Sequence, residues 1–169
     1  MKLTIFIIFL SVVFLINAAI NYYIIRRGLQ VIPDGLILRK ILVISVIILA
    51  SSFFAGRIIE RFSINPVSEI LIWAGSFWMA FMLYILIMLV FIDELRLLNH
   101  WFGIFPSFIT NNPEKSKTAA AWTVIVISSV LVFAGHINTY FPVIRKYEIP
   151  INKSAGSLKE LNIAVASDI

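Results

Sequence analysis

Four stretches of this chain are long and apolar enough to cross a bilayer as helices, and they leave little room for any other fold. Hydrocarbon offers the backbone no hydrogen-bond partner, so a spanning segment must be a helix or part of a closed barrel, and a helix needs roughly 20 apolar residues. The runs cover about 3–25, 36–54, 66–92 and 113–141. The first is closed by Arg26-Arg27, the second carries Arg39-Lys40 in its first turns, the third stops before "DELR" and the fourth ends at Pro142. Asn65 with Pro66, and Asn112 with Pro113, read as cap and first helical residue of the third and fourth helices. Charged residues make up 14% of the chain, against about a quarter in soluble domains. The expected fold class over residues 1–142 is therefore an all-α membrane bundle of four transmembrane helices.

The amino terminus, "MKLTIFIIFLSVVFLINAA", has the lysine and apolar core of a secretory signal. Asn17 spoils a small-x-small cleavage pattern ending at Ala19, and the apolar run continues through "INYYII". An uncleaved helix is expected. The basic residues form short clusters beside the apolar runs (Arg26-Arg27, Arg39-Lys40, Arg57 and Arg61, Arg145-Lys146) and not one block, which fits interfacial anchors and gives no sign of nucleic-acid binding. There is no cysteine, which excludes disulfides and thiolate metal sites.

No Lys, Arg, Asp or Glu falls near the middle of any run, so a conduction path has no ionisable group to work with. The polar exceptions are Asn17, Asn21, Ser45, Ser76, Ser128, Ser129, His136 and Asn138. Small amides and hydroxyls of this kind are expected to make interhelical or backbone hydrogen bonds. His100 and His136 raise the question of haem ligation, but one follows the third helix and the other lies near the end of the fourth, an arrangement that argues against a shared site. The third connection, "RLLNHWFGIFPSFITNNPEKSK", is rich in aromatic residues and reads as a short segment lying in the interface.

After Pro142 the pattern changes. In "VIRKYEIPINK" Tyr147, Ile149 and Ile151 alternate with Lys146, Glu148, Pro150 and Asn152, the period of a half-buried strand, with Pro150 placing it at an edge. "SAGSLKE" supplies a turn, and "LNIAVASD" is a short apolar run of the kind found in inner strands. Residues 143–169 are expected to begin a soluble α/β domain with a β-hairpin. Asp168 stands at the carboxyl end of the second strand, where open α/β sheets place their ligands, and a carboxylate there suits a divalent cation. A turn or helix cap is the alternative role for this residue.

The stretch "SLKELNIAVASDI" resembles the opening of the catalytic domain in calcineurin-like metallophosphoesterases, in particular bacterial membrane-anchored members in which helices precede the domain. In that family the first core strand delivers an Asp-x-His motif; Asp168 matches the aspartate and Ile169 the x, and the chain stops where the histidine would stand. The later family motifs, Gly-Asp-x-x-Asp, Gly-Asn-His-Asp/Glu and Gly-His-x-His, have no counterpart here. The resemblance implies a hydrolase acting on phosphate esters with two divalent metal ions, which polarise the phosphoryl oxygens and generate hydroxide from bound water. It implies Asp168 as ligand to one of them, a bacterial inner or plasma membrane location, and no catalysis from these 169 residues alone. The rival expectation is a complete small four-helix membrane protein that acts as an interaction or assembly subunit.

Orientation follows from the positive-inside rule. Arg26, Arg27, Arg39, Lys40, Arg96, Lys115 and Lys117 flank one side, and Lys2, Arg57 and Arg61 the other. Short segments alone place the carboxyl-terminal segment outside the cytoplasm; adding Arg145, Lys146, Lys153 and Lys159 levels the count, and the expectation follows the rule that long domains cross largely regardless of charge.

Overall fold

The computed structural model describes residues 2–141 and Tyr147. Its order is α1 (Lys2–Leu29), α2 (Ile37–Phe62), α3 (Pro66–Phe102), the single-turn α4 (Ser107–Thr110) and α5 (Pro113–Asn138). The four long helices are each apolar and long enough to span a membrane, and the chain is a multi-pass integral membrane protein. The expected strands after Pro142, and Asp168 with them, lie outside the described residues apart from Tyr147.

Three of the expected helix ends fall short and one overshoots: α1 runs past residue 25 to Leu29, α2 and α3 run further still, and α5 ends at Asn138, before the expected 141. The second helix does not stop at residue 54 but runs to Phe62, taking in Arg57, Glu60 and Arg61. Arg57 bonds Glu60 at 2.9 Å, three residues on, and lies over the Phe53 ring, so these two charges satisfy each other within the helix beyond the apolar run. The third does not stop at Ile92 but continues to Phe102, where Gly103 takes the left-handed conformation (φ 60°) and its N–H closes on the carbonyl of Asn99. Hydropathy marks where lipid ends, whereas a helix ends where a cap or glycine ends it. At 37 residues, α3 is about 55 Å long and outruns a core of about 30 Å. The aromatic connection shrinks accordingly: Trp101 and Phe102 belong to α3, while Phe105 and Phe108 flank or lie in α4.

Asn65 caps α3 as expected. Its Oδ1 accepts from the Ser68 N–H at 2.9 Å and the Ser68 hydroxyl receives the Asn65 N–H, a reciprocal capping box with Pro66 behind it. Asn112 does not match it. Pro113 does open α5, but the Asn112 side chain makes no capping bond, and its backbone carbonyl receives the Ser116 N–H at 3.0 Å instead.

The helices alternate in direction. α2 and α3 form the tightest pair, α1 packs on both, and α5 packs on α3. Phe77 meets His136 and Phe81 meets Phe133, so the start of α3 lies beside the end of α5. Large apolar side chains point outward along all four long helices, Leu15, Ile37, Ile70 and Val130 among them. Among the described residues the fully enclosed apolar side chains are only Ile24, Val46, Val124 and Val132, joined by Asn21, Ser52, Ser68 and Ser128. That is the pattern of a bundle in lipid, where apolar burial gives helices no reason to associate and small residues permit close approach. Gly75 shows how close: a Cβ there would come within 2.3 Å of the Phe53 backbone nitrogen. Gly56 lies almost as tightly on the backbone of Ile72 and Ser68.

Candidate functional site at the basic end of the bundle

One end of the bundle gathers the end of α1, the start of α2, the carboxyl half of α3 and the start of α5. Arg27 comes from the last turn of α1, behind a long apolar run, and Asp93 from the first charged position of α3 after Glu69 in its opening turn. The two side chains form a salt bridge. The Tyr23 hydroxyl, one turn before Arg27, donates to the same Asp93 oxygen at 2.5 Å. Arg27 also donates to Gln30 at 3.0 Å and lies over the Tyr23 ring. Arg96, one turn beyond Asp93, stands 3.7 Å from its other oxygen. At the start of α2 Arg39 pairs with Asp34 of the preceding connection, and on α5 Lys117 pairs with Glu114 at 2.8 Å.

Asp93 thus accepts from two groups of α1 and fixes the end of that helix against α3. Beside this cluster lies a cavity of about 150 Å³ between α1, α3 and α5, walled mainly by Ile24, Leu89, Val124 and their neighbours, with Arg27, Asp93, Arg96 and Lys117 at its polar edge. It adjoins a wider groove of about 760 Å³ bounded by Leu95, Asn99, Phe105, Phe108 and Lys115. Arg96 and Lys117 line both. No protein-family model, curated protein or solved structure matches the chain. The chemistry of the site therefore rests on its own geometry: a hydrophobic recess with cations at its mouth and one carboxylate already committed to structure.

A second polar group lies deeper. Asn21 donates to the Asn17 carbonyl at 2.9 Å and contacts the Met82 sulfur at 3.2 Å, while its own Oδ1 accepts from the Trp78 indole N–H at 2.9 Å. Asn17 and Asn21, one turn apart, face α3 together. Ser51, Ser52 and Ser129 bond carbonyls of their own helices. Of the polar residues named from the sequence, Asn17, Asn21 and Ser129 make the interhelical or backbone hydrogen bonds expected of them. Ser128 is enclosed without a partner, and Ser45 and Ser76 face outward.

The antiparallel pairing places His136 beside Phe77 and Tyr140 at the opposite end from His100. His100 lies 23 residues beyond Phe77 on α3, roughly 35 Å along the axis. One haem cannot bridge them. Among the described residues no three His, Asp or Glu side chains gather as a metal site, and the expected ligand Asp168 lies outside those residues.

The Tyr23–Arg27–Asp93 cluster is absent from the sequence reading. Hydropathy ends the third run at Ile92 and leaves Asp93 outside it, and Arg26-Arg27 beside an apolar run reads as an anchor. The available signal was the spacing of Asp93 and Arg96 at i, i+3, which implies that the helix continues through "DELR".

Proposed function

We propose that residues 1–142 anchor in the membrane a metal-dependent phosphoesterase whose α/β catalytic domain begins within 143–169. The observation that carries this reading is the likeness of "SLKELNIAVASDI" to the first core strand of calcineurin-like metallophosphoesterases, with Asp168 at the position of the metal-binding aspartate. The bundle supports the anchor half. Its interior amides are committed to holding α1 on α3, and a transport pathway would need an ionisable group free to act in the interior. In the intact protein Asp168 ligates one of two divalent ions, which supply Lewis-acid activation of a phosphate ester. The domain stands on the end of the bundle where α5 finishes, opposite the Arg27–Asp93 cluster and outside the cytoplasm.

Two experiments test the reading. The source gene is expected to continue past Ile169 with a histidine codon; a stop codon there would refute it and favour a small four-helix assembly subunit. In the intact protein Asp168→Asn is expected to insert normally and lose metal content along with hydrolysis of a nitrophenyl phosphate ester. Asparagine serves a turn or cap nearly as well as aspartate, so full metal content with near-native turnover would reduce Asp168 to a turn residue.

A further inference from the structure

The geometry points to an anionic phospholipid as the occupant of the cleft at the basic end of the bundle, with its phosphate between Arg96 and Lys117 and the start of one acyl chain in the recess between α1 and α5. This site does not rest on the phosphoesterase reading. α1 and α5 both pack beside α3 but make no extensive contact with each other, so the recess between them opens sideways, toward where lipid chains lie. Its floor is aliphatic, from Ile24, Ile85, Leu89 and Val124. A free phosphate gains nothing from such walls, whereas an acyl chain does.

The cations at the mouth differ in how far they are committed. Arg27 is spent on Asp93 and Gln30. Arg96 is only 3.7 Å from Asp93, with its side chain 41% exposed. Lys117 is held by Glu114, itself 80% exposed, and an exposed pair of this kind contributes little and yields readily to a better acceptor. Lys115 lines the adjoining groove. Counting Arg27, Arg96, Lys115 and Lys117 against Asp93 and Glu114, the mouth keeps a positive excess, which a phosphodiester offsets. Basic recesses between transmembrane helices near one membrane face are suited to phospholipid headgroups for this reason.

The test uses the purified full chain in a mild detergent, with retained lipid counted by native mass spectrometry and stability followed by thermal unfolding. The probes are phosphatidylglycerol, phosphatidylcholine with the same acyl chains, and inorganic phosphate. Phosphatidylglycerol is expected to be retained and to raise Tm, with neither phosphatidylcholine nor phosphate doing so. A basic residue near the surface contributes about fivefold to anionic-lipid attraction, so Arg96→Gln with Lys117→Gln should weaken retention about 25-fold. Arg57→Gln with Arg61→Gln, at the opposite end, serves as the charge-matched control and should leave retention unchanged. Equal retention of the two lipids, an equal response to inorganic phosphate, or equal losses in the two double variants would each overturn the site. If the first double variant does not fold, the single substitution Lys117→Gln gives the same reading, with about fivefold expected and no change refuting it.

Discussion

Gly75 is where a single methyl group should cost this protein most. An alanine Cβ there would meet the Phe53 nitrogen at 2.3 Å and the Phe53 Cα at 2.6 Å, against about 3.5–4.0 Å for an ordinary contact. Both atoms are backbone or its root, so no rotamer change relieves the clash. α2 and α3 must part by about 1 Å, a gap that forfeits a quarter to a half of each dispersion contact along the seam. That seam includes Ser52, Gly56 and Ser68, which are buried. Overpacking of this kind costs about 1–3 kcal/mol. The gain in helix propensity from Gly to Ala returns about 0.8–1 kcal/mol, leaving a net loss of up to about 2 kcal/mol.

Gly135 supplies the matched control, since nothing lies within 4 Å of a Cβ there. Gly135→Ala should keep only the propensity gain and stabilise by about 0.5–1 kcal/mol. Gly28 stands between them: its nearest neighbour, 2.7 Å away, is the tip of the Leu42 side chain, which can swing aside. Reversible unfolding in mixed micelles, titrated with a denaturing detergent, should rank Gly135→Ala above Gly28→Ala and both above Gly75→Ala. The propensity gain is common to both end members, so they should differ by the overpacking cost, about 1–3 kcal/mol. Gly75→Ala within about 0.5 kcal/mol of Gly135→Ala would refute the close backbone approach and the account of the seam built on it.

A double-mutant cycle between Asn21→Ala and Trp78→Phe should give a coupling of about 0.6–1.7 kcal/mol, the range for interhelical hydrogen bonds in lipid; zero coupling would separate the two residues. Asp93→Asn keeps an acceptor for Tyr23 but removes the charge that holds Arg27, and should destabilise by about 1–2 kcal/mol in the same assay, a neutral result placing the pair in solvent. Asn65→Ala removes a bonded cap and should cost about 1 kcal/mol, whereas Asn112→Ala, whose side chain caps nothing, should stay within about 0.5 kcal/mol of the parent. A cysteine at Ser154, in a chain with none of its own, should react with an impermeant reagent in intact cells; protection there would reverse the proposed orientation.

The spans were legible because each is a local property. An apolar run too long for anything but a membrane helix announces itself without reference to its neighbours, and Asn65-Pro66 announces a start in the same way. Asn112-Pro113 carries the same signature without the bond, since the cap depends on a φ, ψ pair, here −131° and 65°, that the preceding turn dictates. Asn17 and Asn21 were legible as packing residues because small amides within apolar helices bond the backbone or a neighbouring helix, although their partners Trp78 and Met82 were not. The same limit hid the basic cleft. Tyr23 and Asp93 are 70 residues apart, and their meeting depends on how far α1 and α3 are rotated about their axes and slid past each other. The amides of α1 bonded to Trp78 and Met82 hold α1 and α3 in one such register. A seam of small residues toward one end of the bundle and two asparagines nearer its middle thereby bear on which charges meet at the other end, Asp93 lying 18 residues beyond Gly75 or about 27 Å further along α3. The cleft is a consequence of packing carried that distance, and disturbing Gly75 should alter lipid retention at Arg96 and Lys117 as well as stability, unlike Gly135→Ala.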